Sequence, residues 1–166
     1  MLRMIGLVAV VLHVLSVFWL VAGIVGRDAC WWHAARAADL PALRTIAALA
    51  SSFDRRAVQP STFVVLVTGL AAAGLRGHRI FGFLRGEGPV WPFAALLIYL
   101  SIIPVIVFVF LPKGRVYRVA LAEAESLGQV TSALRAAIAD PAVMAARGYE
   151  FAMIAVLAFL MIVKPF

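Results

Sequence analysis

The chain has 166 residues, of which 64% are hydrophobic and 14% charged, with a mean hydropathy of +1.02. A soluble domain carries about 45–50% apolar residues, so this composition excludes an ordinary water-soluble fold and points to one compact membrane domain over residues 1–166. The formal charge of +7 does not signal nucleic acid, because the basic residues fall between apolar stretches and read as topology signals and contacts to anionic headgroups.

In chain order, the first apolar stretch covers residues 4–26. A bilayer's hydrocarbon is ~30 Å thick and needs about 20 residues at 1.5 Å each, so this stretch predicts a membrane-spanning helix. It outruns the ~7–15 residues of a signal-peptide core and no clear A-x-A pattern follows, so the span is expected to be retained. Next, Asp39 is placed to cap a helix with Pro41 in its first turn. Along that helix Leu40, Leu43, Ile46 or Ala47, Ala50 and Phe53 recur at three-to-four spacing. Arg44, Asp54, Arg55 and Arg56 form its polar portion, so it either lies along the headgroups or packs on the bundle's end.

Span two is expected after the Gln59-Pro60-Ser61 entry, at residues 58–75, followed by a polar turn over 76–89. Span three covers 90–112 and contains Pro104, which removes one backbone hydrogen bond and predicts a kink. Helical periodicity continues through Val116, Val119, Ala120, Glu123 and Leu127 to Gly128. A short helix at 131–139 then precedes Asp140-Pro141, the cap and first turn of the helix that holds span four at 147–164. The reading is an all-α, integral membrane four-helix up-down bundle with additional interfacial amphipathic helices.

Arg27, Arg36, Arg44, Arg55, Arg56, Lys113, Arg115, Arg118, Arg135 and Arg147 flank the two long connections, against Arg3, Arg76, Arg79, Arg85 and Lys164 on the other side. The excess places the long connections inside and both termini outside.

His13 is the only ionisable side chain within the first span. A titratable group at that depth is costly and is a functional-site candidate by default. It lies on a stripe of Gly6, Ala9, His13, Ser16, Leu20 and Gly23, whose alternating three- and four-residue spacing puts them on one helix face. Small residues allow close helix approach, so the stripe is expected to face the other spans and the remaining Val, Leu, Ile and Phe to face lipid. Matching depth at 1.5 Å per residue puts His13 about 13 Å below the membrane face. It also proposes Thr68, Tyr99 and Met153 as neighbours, the first two as hydrogen-bond partners and the last as a soft ligand.

Three roles compete for His13: a neutral hydrogen-bonded clasp between helices, an axial ligand to haem b iron, and a proton relay. Cys30 is the single cysteine, so no intrachain disulfide can form, and Cys30-x-x-His33 alone does not complete a zinc site. Trp31, Trp32 and Trp91 read as interfacial anchors. The pairs Gly69 with Ala73 and Gly148 with Ala152 permit close contacts within one subunit, in a homo-oligomer, or with a membrane-complex partner. Nothing in the chain resembles a nucleotide loop, a nucleophile with its base, or paired catalytic carboxylates.

The segments LHVLSVFWLVAG, FDRRAVQPS…TGL and MIVKPF together resemble an uncharacterised bacterial family of four-span integral membrane proteins. The early histidine with its small-residue stripe is more distantly similar to the copper-resistance D proteins and to the HemJ-type protoporphyrinogen oxidases. The oxidase resemblance implies haem bound through His13. That family also uses a lysine within the membrane region, whereas Lys113 and Lys164 here lie at span ends. The copper-resistance resemblance implies ligands near the outer face, where Met4, Met161 and His78 are found. The functional expectations are a non-enzymatic helper or binding protein with an intramembrane histidine, a haem-binding redox protein, or a small metal- or proton-coupled permease.

Overall fold

The structure is a computed structural model that describes the backbone of residues 2–164 and the side chains of residues 4–164. The Arg3 side chain counted in the charge balance, and the closing Pro165-Phe166 of MIVKPF, lie outside the described residues. Every described regular element is helical. Helix α1 (Leu2–Ala34) is 33 residues long and extends about 50 Å, some 20 Å more than hydrocarbon requires. Helix α2 (Leu40–Phe53) passes through a π-helical turn (Asp54–Val58) into α3 (Gln59–Leu75), forming one continuous helix of 36 residues.

After a short 3-10 turn at Gly82–Arg85, α4 (Trp91–Leu100) and α5 (Ile102–Val105) lead through a second π-helical turn (Ile106–Phe110) into α6 (Leu111–Leu127). The short α7 (Ser132–Ile138) precedes α8 (Pro141–Val163). Four helices are long and apolar enough to cross a membrane, and they run up-down in a four-helix bundle.

Span two begins before Pro60, continuous with α2, and the helix of span three continues past Pro112 to Leu127, as the periodicity through Leu127 predicted. Each π-turn lies just ahead of a proline, Pro60 and Pro112 respectively. A proline ring clashes with the carbonyl four residues back and cannot donate to it. Arg56 and Phe108 occupy those positions, each in the middle of a π-turn. Widening the local turn moves the carbonyl aside, and the Gln59 and Leu111 amides bond five residues back, to Asp54 and Ile106. Both helices therefore continue through the proline. Pro104 behaves as expected: the helix is interrupted at Ser101, where the carbonyls that Pro104 cannot satisfy lie.

The caps follow the sequence. Asp39 accepts from the Ala42 amide at 2.8 Å, Thr131 from Leu134 at 3.1 Å, and Asp140 from Ala142 and Val143. Gly128 ends α6 in the left-handed region, at φ +67°.

The two long connections extend the spans beyond the membrane and form a second core there, of Ala37, Leu43, Ala120, Ala124, Leu134 and Ile138. The buried stripe of α2 (Leu43, Ala47, Ala50) thus meets protein rather than headgroups, which corrects the interfacial alternative. On α6 the buried residues are Ala120 and Ala124, whereas Val116, Val119 and Leu127 face outward. The stripe expected there is rotated, because small side chains allow α6 to approach its neighbours closely.

Backbone packing is tight within each of two hairpins, α1 with α2–α3 and α4–α6 with α7–α8, and sparse between them. Side chains bridge the hairpins instead. On α1 the stripe Gly6, Ala9, His13, Ser16, Leu20 and Gly23 is buried, while Leu7, Val8, Val11, Leu12, Leu15 and Phe18 are exposed. Apolar surface exposed on this scale along four such helices requires hydrocarbon as its solvent. The chain is a multi-pass membrane protein.

Candidate functional site

The seam between the hairpins contains three stacked layers. Toward the end of the bundle that is expected to face outward, where residues 76–90 turn, α1, α3, α4 and α8 enclose an apolar groove of about 410 Å³ that includes His13, Gly69, Tyr99 and Met153. Its mouth carries Arg76, His78, Trp91 and Lys164, and no acidic side chain lines it among the described residues. The His78 ring stands edge-on to Trp91 with centroids 5.3 Å apart, and the Lys164 ammonium lies 5.7 Å from the Trp91 centroid.

Thr68 is the His13 partner that depth matching suggested. Its Oγ1 lies 3.3 Å from His13 Nδ1 and 3.1 Å from Ser16 Oγ. Counting protons assigns the tautomer. The Thr68 hydroxyl donates to the Val64 carbonyl at 2.6 Å, and the Ser16 hydroxyl donates to the His13 carbonyl at 2.7 Å. Thr68 Oγ1 is then an acceptor toward the ring, so Nδ1 carries the proton and Nε2 keeps its lone pair. Nε2 is buried and has no hydrogen-bond partner among the described residues. Gly69 makes this fit possible, since a Cβ there would stand 2.9 Å from His13 Cε1.

Tyr99 is not a partner of the imidazole. Its hydroxyl donates to the Thr62 carbonyl at 2.5 Å, about 9 Å nearer the inner end of α3 than Thr68. Depth matching compares backbone levels in upright rods starting at one height and takes no account of where a long phenol side chain reaches. Met153 is buried and lines the same groove from α8.

The middle layer is an aliphatic waist of Leu20, Ile24 and Val65, with Tyr99 and Ile154 packed against it. Below the waist is an ionic layer. Arg27, 6% exposed, donates from Nη2 to Glu150 Oε2 at 2.5 Å and from Nη1 to Oε1 at 3.5 Å, joining the two hairpins. Its Nε donates to Asp28 at 2.8 Å and its Nη1 reaches Asp54 at 3.4 Å. Arg147 approaches Asp28 at 3.7 Å and stacks over Trp31. This layer borders a second cavity of about 280 Å³, lined from both π-turns by Asp54, Val58, Ile106 and Phe110, and from α6 by Tyr117. The Tyr117 hydroxyl is buried without a partner among the described residues.

The sequence reading placed Trp31 among the interfacial anchors. Trp31 instead packs edge-on against Tyr117 at 5.0 Å, while Trp32 is exposed. The signal for the ionic layer was present: adding four to Gly23 carries the α1 stripe to Arg27. Of the small-residue pairs, Gly69 is used within the subunit, and Gly148 has nothing within 4 Å of its Cβ position.

Compared with family models, curated proteins and solved structures, the chain matches none.

Proposed function

We propose that this is a non-enzymatic membrane binding protein that takes up an amphiphile in the outer groove and anchors it on His13 Nε2. The observation that carries the reading is that lone pair, buried and unpartnered, on a residue that lines an apolar cavity. A buried acceptor left unmatched costs about 1–3 kcal/mol, which a ligand's hydroxyl or amide donor recovers. The mouth's Arg76, His78 and Lys164, without an acid among the lining residues, suit a carboxylate or phosphate at the other end of the ligand. We place the protein in a bacterial inner membrane with its long connections in the cytoplasm, on the excess of arginine there. Gly148 and Ala152 remain the pair open to a second copy or to a membrane-complex partner.

A second reading rests on the same nitrogen. A neutral imidazole with Nδ1–H held by Thr68 presents Nε2 as a haem ligand would, with Arg76 and Lys164 available to the propionates. Bound haem would supply one-electron redox chemistry. A permease, by contrast, would need a path through the aliphatic waist.

The test is to purify the protein in mild detergent from its native host, record a visible spectrum, and extract and identify bound small molecules. A colourless preparation carrying an anionic amphiphile that His13→Leu loses, with helicity unchanged, is the expected result. A Soret band lost in the same variant would replace it with the haem reading. Ligand content unaltered by both His13→Leu and Arg76→Gln with Lys164→Gln would overturn the groove as the site.

A further inference from the structure

The inner cavity is walled mostly by apolar side chains, and Arg27 on its wall lies about 35 Å along α1 from Met4, the depth expected of a headgroup layer; charged groups reach it from both hairpins. Most of these are already paired. Arg27 occupies both oxygens of Glu150, and Lys113 is 2.8 Å from Asp140. Two groups remain under-committed, one from each hairpin. Asp54 has a single contact, the 3.4 Å one from Arg27 Nη1, and its Oδ2 has no partner among the described residues. Arg147 touches Asp28 only through Nε at 3.7 Å, and its terminal nitrogens make no hydrogen bond among the described residues. The orphaned Tyr117 hydroxyl borders the same space.

The backbone opens toward this cavity from each hairpin, at the two π-turns. Asp54 starts one π-turn, and the second π-turn faces the cavity from the other hairpin. Widened turns of this kind are frequent at binding sites. An anion alone would meet Asp54, and a cation alone would meet Arg147. A ligand carrying both charges on one small head satisfies each.

The geometry points to a second binding site here, for a zwitterionic aminoalkyl-phosphate head: its ammonium on Asp54 and its phosphate on Arg147 and the Tyr117 hydroxyl. The apolar wall of Val58, Ile106, Phe110 and Val143 favours a lipid as the bearer of that head, with the start of its acyl chains against these residues. This site is independent of the outer groove, from which the aliphatic waist separates it.

The experiment is native mass spectrometry of the full chain released from nanodiscs of equal parts phosphatidylethanolamine, phosphatidylglycerol and phosphatidylcholine. Preferential retention of phosphatidylethanolamine is expected. Asp54→Asn abolishes that preference and leaves phosphatidylglycerol retained. Arg147→Gln lowers retention of all three roughly tenfold, the loss of one charge-assisted hydrogen-bonded contact. Tyr117→Phe, which removes only a hydroxyl and so tests the site even if Arg147→Gln fails to fold, lowers retention a few-fold. Displacement of the bound lipid by free phosphoethanolamine would assign the same chemistry to a soluble ligand, and resistance to it assigns the lipid. Equal retention of the three lipids by the unaltered protein, or a preference that Asp54→Asn leaves intact, overturns the proposal.

Discussion

His13 and Arg27 share one face of α1, about 21 Å apart, and each meets the cost of burial differently. Arg27 is committed on every side, to Glu150, Asp28 and Asp54. His13 is committed on one nitrogen only. Thr68 decides which nitrogen, because its own proton is held by the Val64 carbonyl. Thr68→Val keeps the shape of that side chain and removes the acceptor, leaving the His13 Nδ1–H and its surroundings unmatched at a cost of about 1–3 kcal/mol. Imidazole nitrogen-15 shifts should report the Nδ1–H tautomer in the unaltered protein and a mixture in Thr68→Val, with a lowered thermal midpoint. An unchanged tautomer in the variant would mean that Thr68 does not set it.

The elements owe their ends to caps and their bends to prolines, and one of these devices responds to pH. Asp140 caps α8 and also receives Lys113 of α6 at 2.8 Å, fastening the inner end of the second hairpin. The Lys113 hydrogen bond is the largest reason that the Asp140 carboxyl titrates below the usual carboxylate range, and the amides of Val143 and Ala142 add to it. With the folded-state pKa below the unfolded one, this contribution is complete above the unfolded value of about 4 and is lost as pH falls through the folded value. The thermal midpoint in detergent should therefore drop on acidification below about pH 4. Asp140→Asn keeps the cap and removes the charge, so its midpoint should lie lower at neutral pH and change less over the acid range. Equal acid sensitivity in both proteins would assign the effect to other carboxylates.

At the scale of the molecule, the spans, the caps and the buried stripe of α1 were legible because each depends on local spacing and composition. The lone clasp partner, Thr68, was reachable by counting residues. The α1 stripe pointed to Arg27, but its partner Glu150 and the π-turns were not legible, since each depends on which residues meet across the seam or on how a proline is accommodated inside a longer helix. A linear chain reads Pro60 as a helix entry, whereas the widened turn ahead of it lets the helix run through. The same division describes assembly. Each hairpin packs closely along its own backbones, while the seam is joined by side chains, chiefly Arg27 with Glu150 and the core around Leu43 and Leu134. Hairpins of this kind insert separately and then associate. Two chains divided in the outer turn, within residues 82–88, should therefore copurify. Glu150→Leu takes the two-point partner from the buried Arg27 guanidinium, leaving it Asp28 and Asp54 on its own hairpin, and should sharply lower copurification. Arg27→Leu together with Glu150→Leu removes both buried charges across the seam and should restore most of it, since Asp54, which then loses its partner, is exposed enough to be solvated. Copurification that survives Glu150→Leu alone would show that the inner core, not the ion pair, holds the hairpins together.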